Sequence, residues 1–165
     1  MSFANKIISV IELKNIREKF QKKKIVLCHG VFDLLHIGHL NYFRSAKKLG
    51  HLLVVSITGD QFVNKGPGRP AFSISNRIKF LNELNCIDFI CESKNFTSEQ
   101  IIKNLRPNFY CKGIDYAKAS LKKDLNLKKE LLALKLCKGK YFSNSMRPPI
   151  KILAFMLPLL KINSS

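Results

Sequence analysis

Two histidines, His36 and His39, are three residues apart in the sequence, with a small glycine, Gly38, between them. They lie between a short apolar run and a segment with helical spacing, so we expect them at the N-terminus of a helix. Free backbone amides and the positive end of the helix dipole make such a terminus a binding place for a polyphosphate. Two imidazoles there can donate hydrogen bonds to phosphate oxygens as charge builds up on them during group transfer.

A structural interpretation and a metal interpretation compete with this one. One histidine in an apolar run is usually a core or capping residue, but two around a glycine at a strand-to-helix turn favour a functional site. No third ligand lies nearby, and the helical histidine pair with an adjacent glutamate is absent, so a zinc site is less favoured. The five cysteines form no Cys-x-x-Cys pair and are odd in number. We therefore predict no protein-bound metal and no disulfide framework.

Cationic side chains follow in two further segments. Lys65 and Arg69 lie in a loop rich in Gly and Pro, where a flexible lid could close over a triphosphate; a solvated turn is an equally good interpretation. Arg77, near a predicted helix start, could pair with a phosphate or with an acidic neighbour such as Glu83.

The elements that must position these residues alternate between strand-like and helix-like patterns. Such alternation predicts an α/β fold, a Rossmann-like three-layer arrangement with one parallel sheet, helices on both faces and right-handed connections. Gly50 is predicted to cap the second helix. The predicted strands are 24–28, 52–57, 87–91 and 108–111, and the predicted helices are 8–21, 40–49, 75–84 and one that opens at 97–99 and ends before Pro107.

Lys112 and Asp115 follow the fourth predicted strand. Ligands of parallel sheets bind at the carboxyl ends of the strands. We therefore expect both residues at the binding edge.

The chain length of 165 residues suits one domain. We predict a leading amphipathic helix (1–23), a nucleotide-handling domain (24–145) and an apolar tail (146–165). The apolar stretch of the tail is too short to span a bilayer and is interrupted by Lys151 and Pro158, so no transmembrane helix is predicted. A docking or dimer segment, an interfacial anchor and a tail foreign to the domain remain open interpretations.

The formal net charge of +18 suits an anionic partner, which can be nucleic acid, an acidic membrane or a phosphorylated small molecule. No basic stripe with interleaved aromatic residues occurs, so solvated surface is favoured and nucleic-acid binding is not expected. The start of the chain lacks the pattern of a signal peptide. With the unpaired cysteines, this predicts a cytoplasmic protein.

The stretch Gly30 to His39 reads Gly-Val-Phe-Asp-Leu-Leu-His-Ile-Gly-His. It resembles the His-x-Gly-His signature of the cytidylyltransferase-like nucleotidyltransferase superfamily, of the HUP fold type. The sequence of this motif is closest to those of the heptose 1-phosphate adenylyltransferase domain of bifunctional ADP-heptose synthase and of glycerol-3-phosphate cytidylyltransferase. Residues 64–70 with Asn76 and Arg77, and residues 111–116, resemble the same adenylyltransferase domain, and the resemblance covers residues 24 to 118.

This resemblance implies transfer of a nucleotidyl group, AMP from ATP, to a sugar phosphate such as D-glycero-D-manno-heptose 1-phosphate, with Mg²⁺ and with release of pyrophosphate. It also implies a homodimer, which is usual in relatives. A catalytic role falls to His36, His39 and Lys65, and nucleotide binding to Gly30, Val31, Phe32, Asp33, Gly38, Arg69, Arg77, Lys112, Gly113 and Asp115.

The chain departs from the family pattern near its end. Relatives usually open a final helix with a Ser/Thr-rich motif, whereas here residues 142–145 are followed by Met146-Arg147-Pro148-Pro149, which prevents a normal helix start.

One alternative is a cytidylyltransferase that uses CTP and glycerol 3-phosphate or another phospho-alcohol. An alternative of another class is a C-terminally defective pseudoenzyme or a basic binding module.

Overall fold

The computed structural model describes residues 6–113 and 125–144. Within these ranges the chain alternates between strands and helices. The strands are β1 (Ile7–Ile8), β2 (Ile25–Gly30), β3 (Leu52–Thr58), β4 (Phe89–Ser93), β5 (Phe109–Gly113) and β6 (Lys140–Asn144). The helices are α1 (Glu12–Lys19), α2 (Ile37–Lys47), α3 (Ile74–Asn82), α4 (Glu99–Leu105) and α5 (Leu125–Leu136), with a 3₁₀ turn at Asp60–Phe62.

The strands form one parallel sheet in the order β1-β4-β3-β2-β5-β6. From the central strand β2 the chain first moves outward through β3 and β4, then returns to β5 on the other side of β2. The strand order therefore reverses between β2 and β5, where Cys28 lies opposite Cys111. In open α/β sheets the crevice beyond the carboxyl ends of two such strands is the usual ligand site.

Both faces of the sheet are covered by helices, as predicted. Along β2, Ile25 and Leu27 join a core with α1, α4 and α5. The alternate residues Val26 and Cys28 join a second core with α2 and α3. A strand buried on both faces is continuously apolar, and this is why the run 24–28 could be recognised.

The beginning of the chain differs from the prediction of one helix over 8–21. Ile7–Ile8 forms an edge strand against β4, and the helix is confined to Glu12–Lys19. The backbone N–H and the hydroxyl of Ser9 both donate to a Glu12 carboxylate oxygen, each at 2.7 Å. This turn separates the strand from the helix.

Helix α2 begins three residues earlier than predicted, because His36 caps it. Gly50 does not cap this helix, whose C-terminal cap is Lys48. A Cβ at position 50 would lie 2.7 Å from the carbonyl oxygen of Lys24. Close approach of two backbone segments, rather than helix termination, therefore requires a glycine here.

Helix α5 and strand β6 were not predicted. Residues 142–144, in the segment where relatives usually open a final helix, are the last residues of β6 and pair with β5. The backbone N–H of Lys140 donates to the carbonyl of Asn108 at 2.9 Å and begins this pairing. Residues 145–165, which include the predicted tail, lie outside the described residues.

Candidate active site

The turn after β2 folds an aromatic ring back toward the strand. Phe32 has a positive φ of 49° and is only 7% exposed. A Cβ at Gly30 would lie 2.9 Å from the Phe32 ring, so only glycine fits there without displacing the ring. The same ring meets His39 edge-on, with centroids 5.8 Å apart, and packs on Phe43 at 5.0 Å. Gly30 and Phe32 thus support His39 from the sheet side.

The two histidines lie together at the N-terminus of α2, as their spacing predicts. Their ring centroids are 4.2 Å apart. His36 is the N-cap, and its Nδ1 accepts a hydrogen bond from the backbone N–H of Gly38 at 3.0 Å. This bond leaves the Nε2 atom of His36 as the nitrogen that can act on a ligand. His36 is therefore both a structural cap and a candidate ligand-binding group.

His39 is half-buried, and its Nδ1 is buried with no hydrogen-bond partner in the described part of the chain. Burial lowers the pKa of His39, and the electrostatic influence of the His36 ring and of the Lys65 ammonium lowers it further. The ring is therefore neutral near pH 7, with one N–H to donate. Lys65, an exposed residue of the Gly/Pro-rich loop, therefore acts electrostatically on His39.

Asp33 ties the Gly/Pro-rich loop to the turn after β2. Its carboxylate accepts hydrogen bonds from the backbone N–H groups of Ala71 and Phe72, at 2.9 and 3.0 Å, and from the Arg69 guanidinium at 2.8 Å. Burial opposes ionisation of Asp33, but these donors together lower its pKa to about 2. The loop containing Lys65 is therefore anchored at its C-terminal end, and Arg69 has an internal partner.

Arg77 is fully buried and holds three segments together. Its guanidinium donates to the carbonyls of Phe72, Val31 and Thr58 at 2.9, 2.5 and 3.0 Å. It also pairs with Asp60 at 2.5 Å, so its acidic partner is Asp60 and not Glu83, which the sequence offered as one possible partner. Arg77 fixes the turn after β2 and presents no surface to a phosphate.

Lys112 is also enclosed, at the end of β5. Its ammonium pairs with Glu130 of α5 at 2.6 Å, and the two side chains are 8% and 1% exposed. Glu130 also accepts from the Tyr110 hydroxyl and from the backbone N–H of Ser98, each at 2.9 Å. Burial opposes the charge of Glu130, but Lys112 and His29 outweigh it and lower the pKa of Glu130.

His29 completes this polar cluster, and sequence reasoning missed it. It bonds the Ser56 hydroxyl through Nδ1 at 2.9 Å. Burial lowers its pKa to about 4, with Glu130 opposing the shift and Lys112 adding to it. The signal in the sequence is the alternation of β2, which puts His29 on the face of Ile25 and Leu27. Glu130 has a weaker signal, as a lone acid among the lysines of α5.

The predicted site residues therefore divide into groups. His36 and His39 pack together at the start of α2, with Gly38 between them in the sequence, and Lys65 acts electrostatically on His39. Gly30, Val31 and Phe32 form the adjoining turn. Gly113 ends β5 at the same edge of the sheet. Asp33, Arg69, Arg77 and Lys112 all have partners within the protein. Asp115 lies outside the described residues.

A reversal of strand order beside a histidine pair at a helix N-terminus is the architecture of an α/β nucleotidyltransferase. The family model described as Cytidylyltransferase-like matches residues 27–158. The chain belongs to the Cytidylyltransferase-like family, which confirms the resemblance carried by residues 30–39.

The curated relatives include the "Bifunctional protein HldE" of Campylobacter fetus, 40% identical over 116 residues. The match covers 69% of this chain and 25% of that protein. The protein of the same name from Helicobacter hepaticus is 37% identical over 114 residues, covering 68% of this chain and 24% of the relative. The chain thus spans about a quarter of the length of these relatives.

Solved structures show the same fold. The lipopolysaccharide core biosynthesis protein from Thermoplasma volcanium has a TM-score of 0.59 and 26% identity, over 72% of this chain and 93% of that one. Pantoate-beta-alanine ligase from Francisella tularensis has a TM-score of 0.57 and 14% identity, over 86% of this chain and 67% of that one, a likeness of fold alone. Among the residues that the structure describes, no helix has the length and apolar character needed to cross a membrane.

Proposed function

We propose that the chain transfers AMP from ATP to a sugar phosphate, with D-glycero-D-manno-heptose 1-phosphate as the leading candidate, and releases pyrophosphate. The observation that carries this proposal is the pairing of His36 and His39, with ring centroids 4.2 Å apart at the N-terminus of α2, where the Lys65 charge also acts on His39. The identity to proteins named bifunctional HldE supports the choice of acceptor.

In the proposed reaction a phosphate oxygen of the acceptor attacks the α-phosphorus of ATP. A new P–O bond forms in line with the bond to the leaving pyrophosphate, which breaks. Little covalent help is needed, so catalysis rests on positioning and on stabilising the negative charge. His36 and His39 would donate hydrogen bonds to the phosphate oxygens, and the α2 amides and Lys65 would add positive potential.

We also propose that Mg²⁺ enters with the triphosphate as part of the substrate. In residues 6–113 and 125–144 no cluster of three or more His, Cys, Asp or Glu side chains could hold a metal ion. The nearby Asp33 carboxylate is occupied by Arg69, Ala71 and Phe72. Magnesium commonly binds through substrate phosphates and water with few protein ligands, and this arrangement fits that mode.

A cytoplasmic location completes the proposal. Cys28, Cys86, Cys91, Cys111 and Cys137 are free thiols, which suits a reducing compartment.

The test incubates the purified protein and Mg²⁺ with ATP or CTP and with one acceptor at a time from a panel of sugar 1-phosphates and glycerol 3-phosphate. Release of pyrophosphate is measured for each pair. Release with ATP and the heptose 1-phosphate supports the proposal. Release with CTP and glycerol 3-phosphate would replace it with the cytidylyltransferase alternative. Nucleotide binding without release from any pair would instead indicate a pseudoenzyme.

A further inference from the structure

The outer face of α5 combines exposed leucines with lysines. Leu125, Leu132 and Leu136 are 69%, 52% and 73% exposed. Side chains that are seven or eleven residues apart on an α-helix point in nearly the same direction. Leu132 and Leu136 therefore lie within about 20° of Leu125 around the helix axis. These three side chains form a single apolar stripe, which we call the α5 stripe.

Lysines flank this stripe on both sides. Lys128 and Lys135 lie on one side of it and Lys129 on the other, and all three are exposed. Lys138 and Lys140 follow between α5 and β6 and are also exposed. None of these five lysines forms an ion pair with the residues that the structure describes.

Helix α5 itself, Leu125–Leu136, has no exposed acidic side chain. The one acid of the helix, Glu130, is 1% exposed and faces inward to Lys112. Helix α4 differs, because its exposed Lys103 is paired with Glu99 at 2.6 Å. A positively charged surface around an apolar stripe is complementary to an anionic surface with an apolar interior.

We infer that α5 docks the protein on an anionic lipid surface, an interaction that is independent of the proposed reaction. The leucines would enter the boundary between headgroups and acyl chains while the lysines contact lipid phosphates. Helix α5 carries no aromatic side chain on which a nucleobase could stack. Leucine and lysine alone provide apolar area and charge without directional contacts, which suits a fluid lipid surface better than one particular folded partner.

The experiment is co-sedimentation of the full chain with vesicles of phosphatidylcholine alone or mixed with phosphatidylglycerol. We expect binding to the mixed vesicles only, weakening as salt rises. The triple variant Lys128→Gln, Lys129→Gln, Lys135→Gln should bind about a hundredfold more weakly. The double variant Leu132→Ser, Leu136→Ser should lose at least about tenfold at every salt concentration.

The matched control is Phe80→Ser, because Phe80 is 53% exposed on α3, in the opposite helical layer. It should bind vesicles as the wild type does, and circular dichroism should show that all variants are folded. Equal binding to both kinds of vesicle, no binding, or binding unaffected by the α5 substitutions would overturn the inference. The last result would assign the membrane contact to another segment. Binding of a single-stranded oligonucleotide in place of vesicles, insensitive to the leucine substitutions, would overturn it in favour of a nucleic-acid surface.

Discussion

Lys112 and Glu130 form a buried ion pair, 2.6 Å between Nζ and Oε2, that joins the end of β5 to α5. Tyr110 and Ser98 add hydrogen bonds to the same carboxylate. The ion pair lies next to the candidate site, because Gly113 and the ligand-binding edge of the sheet follow directly after Lys112. The pair therefore links the packing of α5 to the geometry of the candidate active site.

Replacement of Glu130 by alanine should destabilise the fold by about 3–5 kcal/mol, because the Lys112 charge is left buried without a partner. Urea unfolding followed by circular dichroism measures this change. Lys129→Ala, at an exposed position beside it, should change the free energy of unfolding by less than about 0.5 kcal/mol. The double variant Lys112→Met, Glu130→Leu should recover much of the loss. Similar effects of Glu130→Ala and Lys129→Ala would show that the pair does not stabilise the fold.

His39→Ala should keep the fold and lower turnover by about a hundredfold to a thousandfold, by analogy with other donors that stabilise transition-state charge. Steady-state rates of pyrophosphate release measure this effect. The control is His51→Ala, since His51 lies before β3 at the opposite edge of the sheet and accepts from the Lys24 N–H at 2.8 Å. Comparable turnover in the His39 variant and the wild type would remove His39 from the mechanism.

His36 requires a different substitution because its ring also caps α2. Asparagine is a good N-cap residue, so His36→Asn should preserve the thermal stability of the protein while removing the imidazole. We expect turnover to fall by about a hundredfold or more. His36→Ala should lose a further ~1 kcal/mol of stability. Full activity in the stable asparagine variant would show that capping is the whole role of His36.

The pKa of His29, lowered from 6.5 to about 4, predicts a pH-dependent stability. Between these two values the unfolded chain binds more protons than the folded chain, so the stability contributed by neutral His29 is complete above pH 6.5 and is lost toward pH 4. Urea midpoints across this range measure the loss. The His29→Gln variant, which can still bond Ser56, should show a shallower decline. Parallel curves for both proteins would contradict the assignment.

Gly30→Ala should displace the Phe32 ring, since the new Cβ would lie 2.9 Å from it. We expect stability to fall by about 1–3 kcal/mol through overpacking, and turnover to fall with it because the ring supports His39. Adding Phe32→Leu should relieve the crowding and restore stability without restoring turnover. Thermal unfolding and initial rates on the same samples separate the two effects. Recovery of both would show that the ring is not needed to position His39.

Much of the fold could be predicted from local pattern. Strands buried on both faces, such as β2 and β3, are continuous apolar runs, and the apolar spacing of residues 40–49 marks the body of α2, although its two end positions were predicted wrongly. Strand β1 has two residues and depends on β4, so no local signal marks it. Strand β6 likewise depends on pairing with β5, which sequence spacing does not reveal.

The residues of the candidate site likewise divide into those that local sequence predicts and those whose roles depend on distant segments. The histidine pair is local, since its two members are three residues apart on one helix start. The partners of Lys112 and Arg77 come from distant segments, Glu130 and Asp60. A cation at a strand end or a helix start has the same appearance in the sequence whether it binds a phosphate or a buried carboxylate. Only the tertiary structure distinguishes the two roles.

The most direct test of the central claim uses ATP labelled at the α-phosphorus, incubated with Mg²⁺, D-glycero-D-manno-heptose 1-phosphate and either the wild type or the His39→Ala variant. The proposal predicts that the wild type moves the label into a nucleotide-sugar product and releases unlabelled pyrophosphate, at a rate about a hundredfold or more above that of the variant. No labelled product from a wild-type protein that binds ATP, or equal rates from the two proteins, would contradict it.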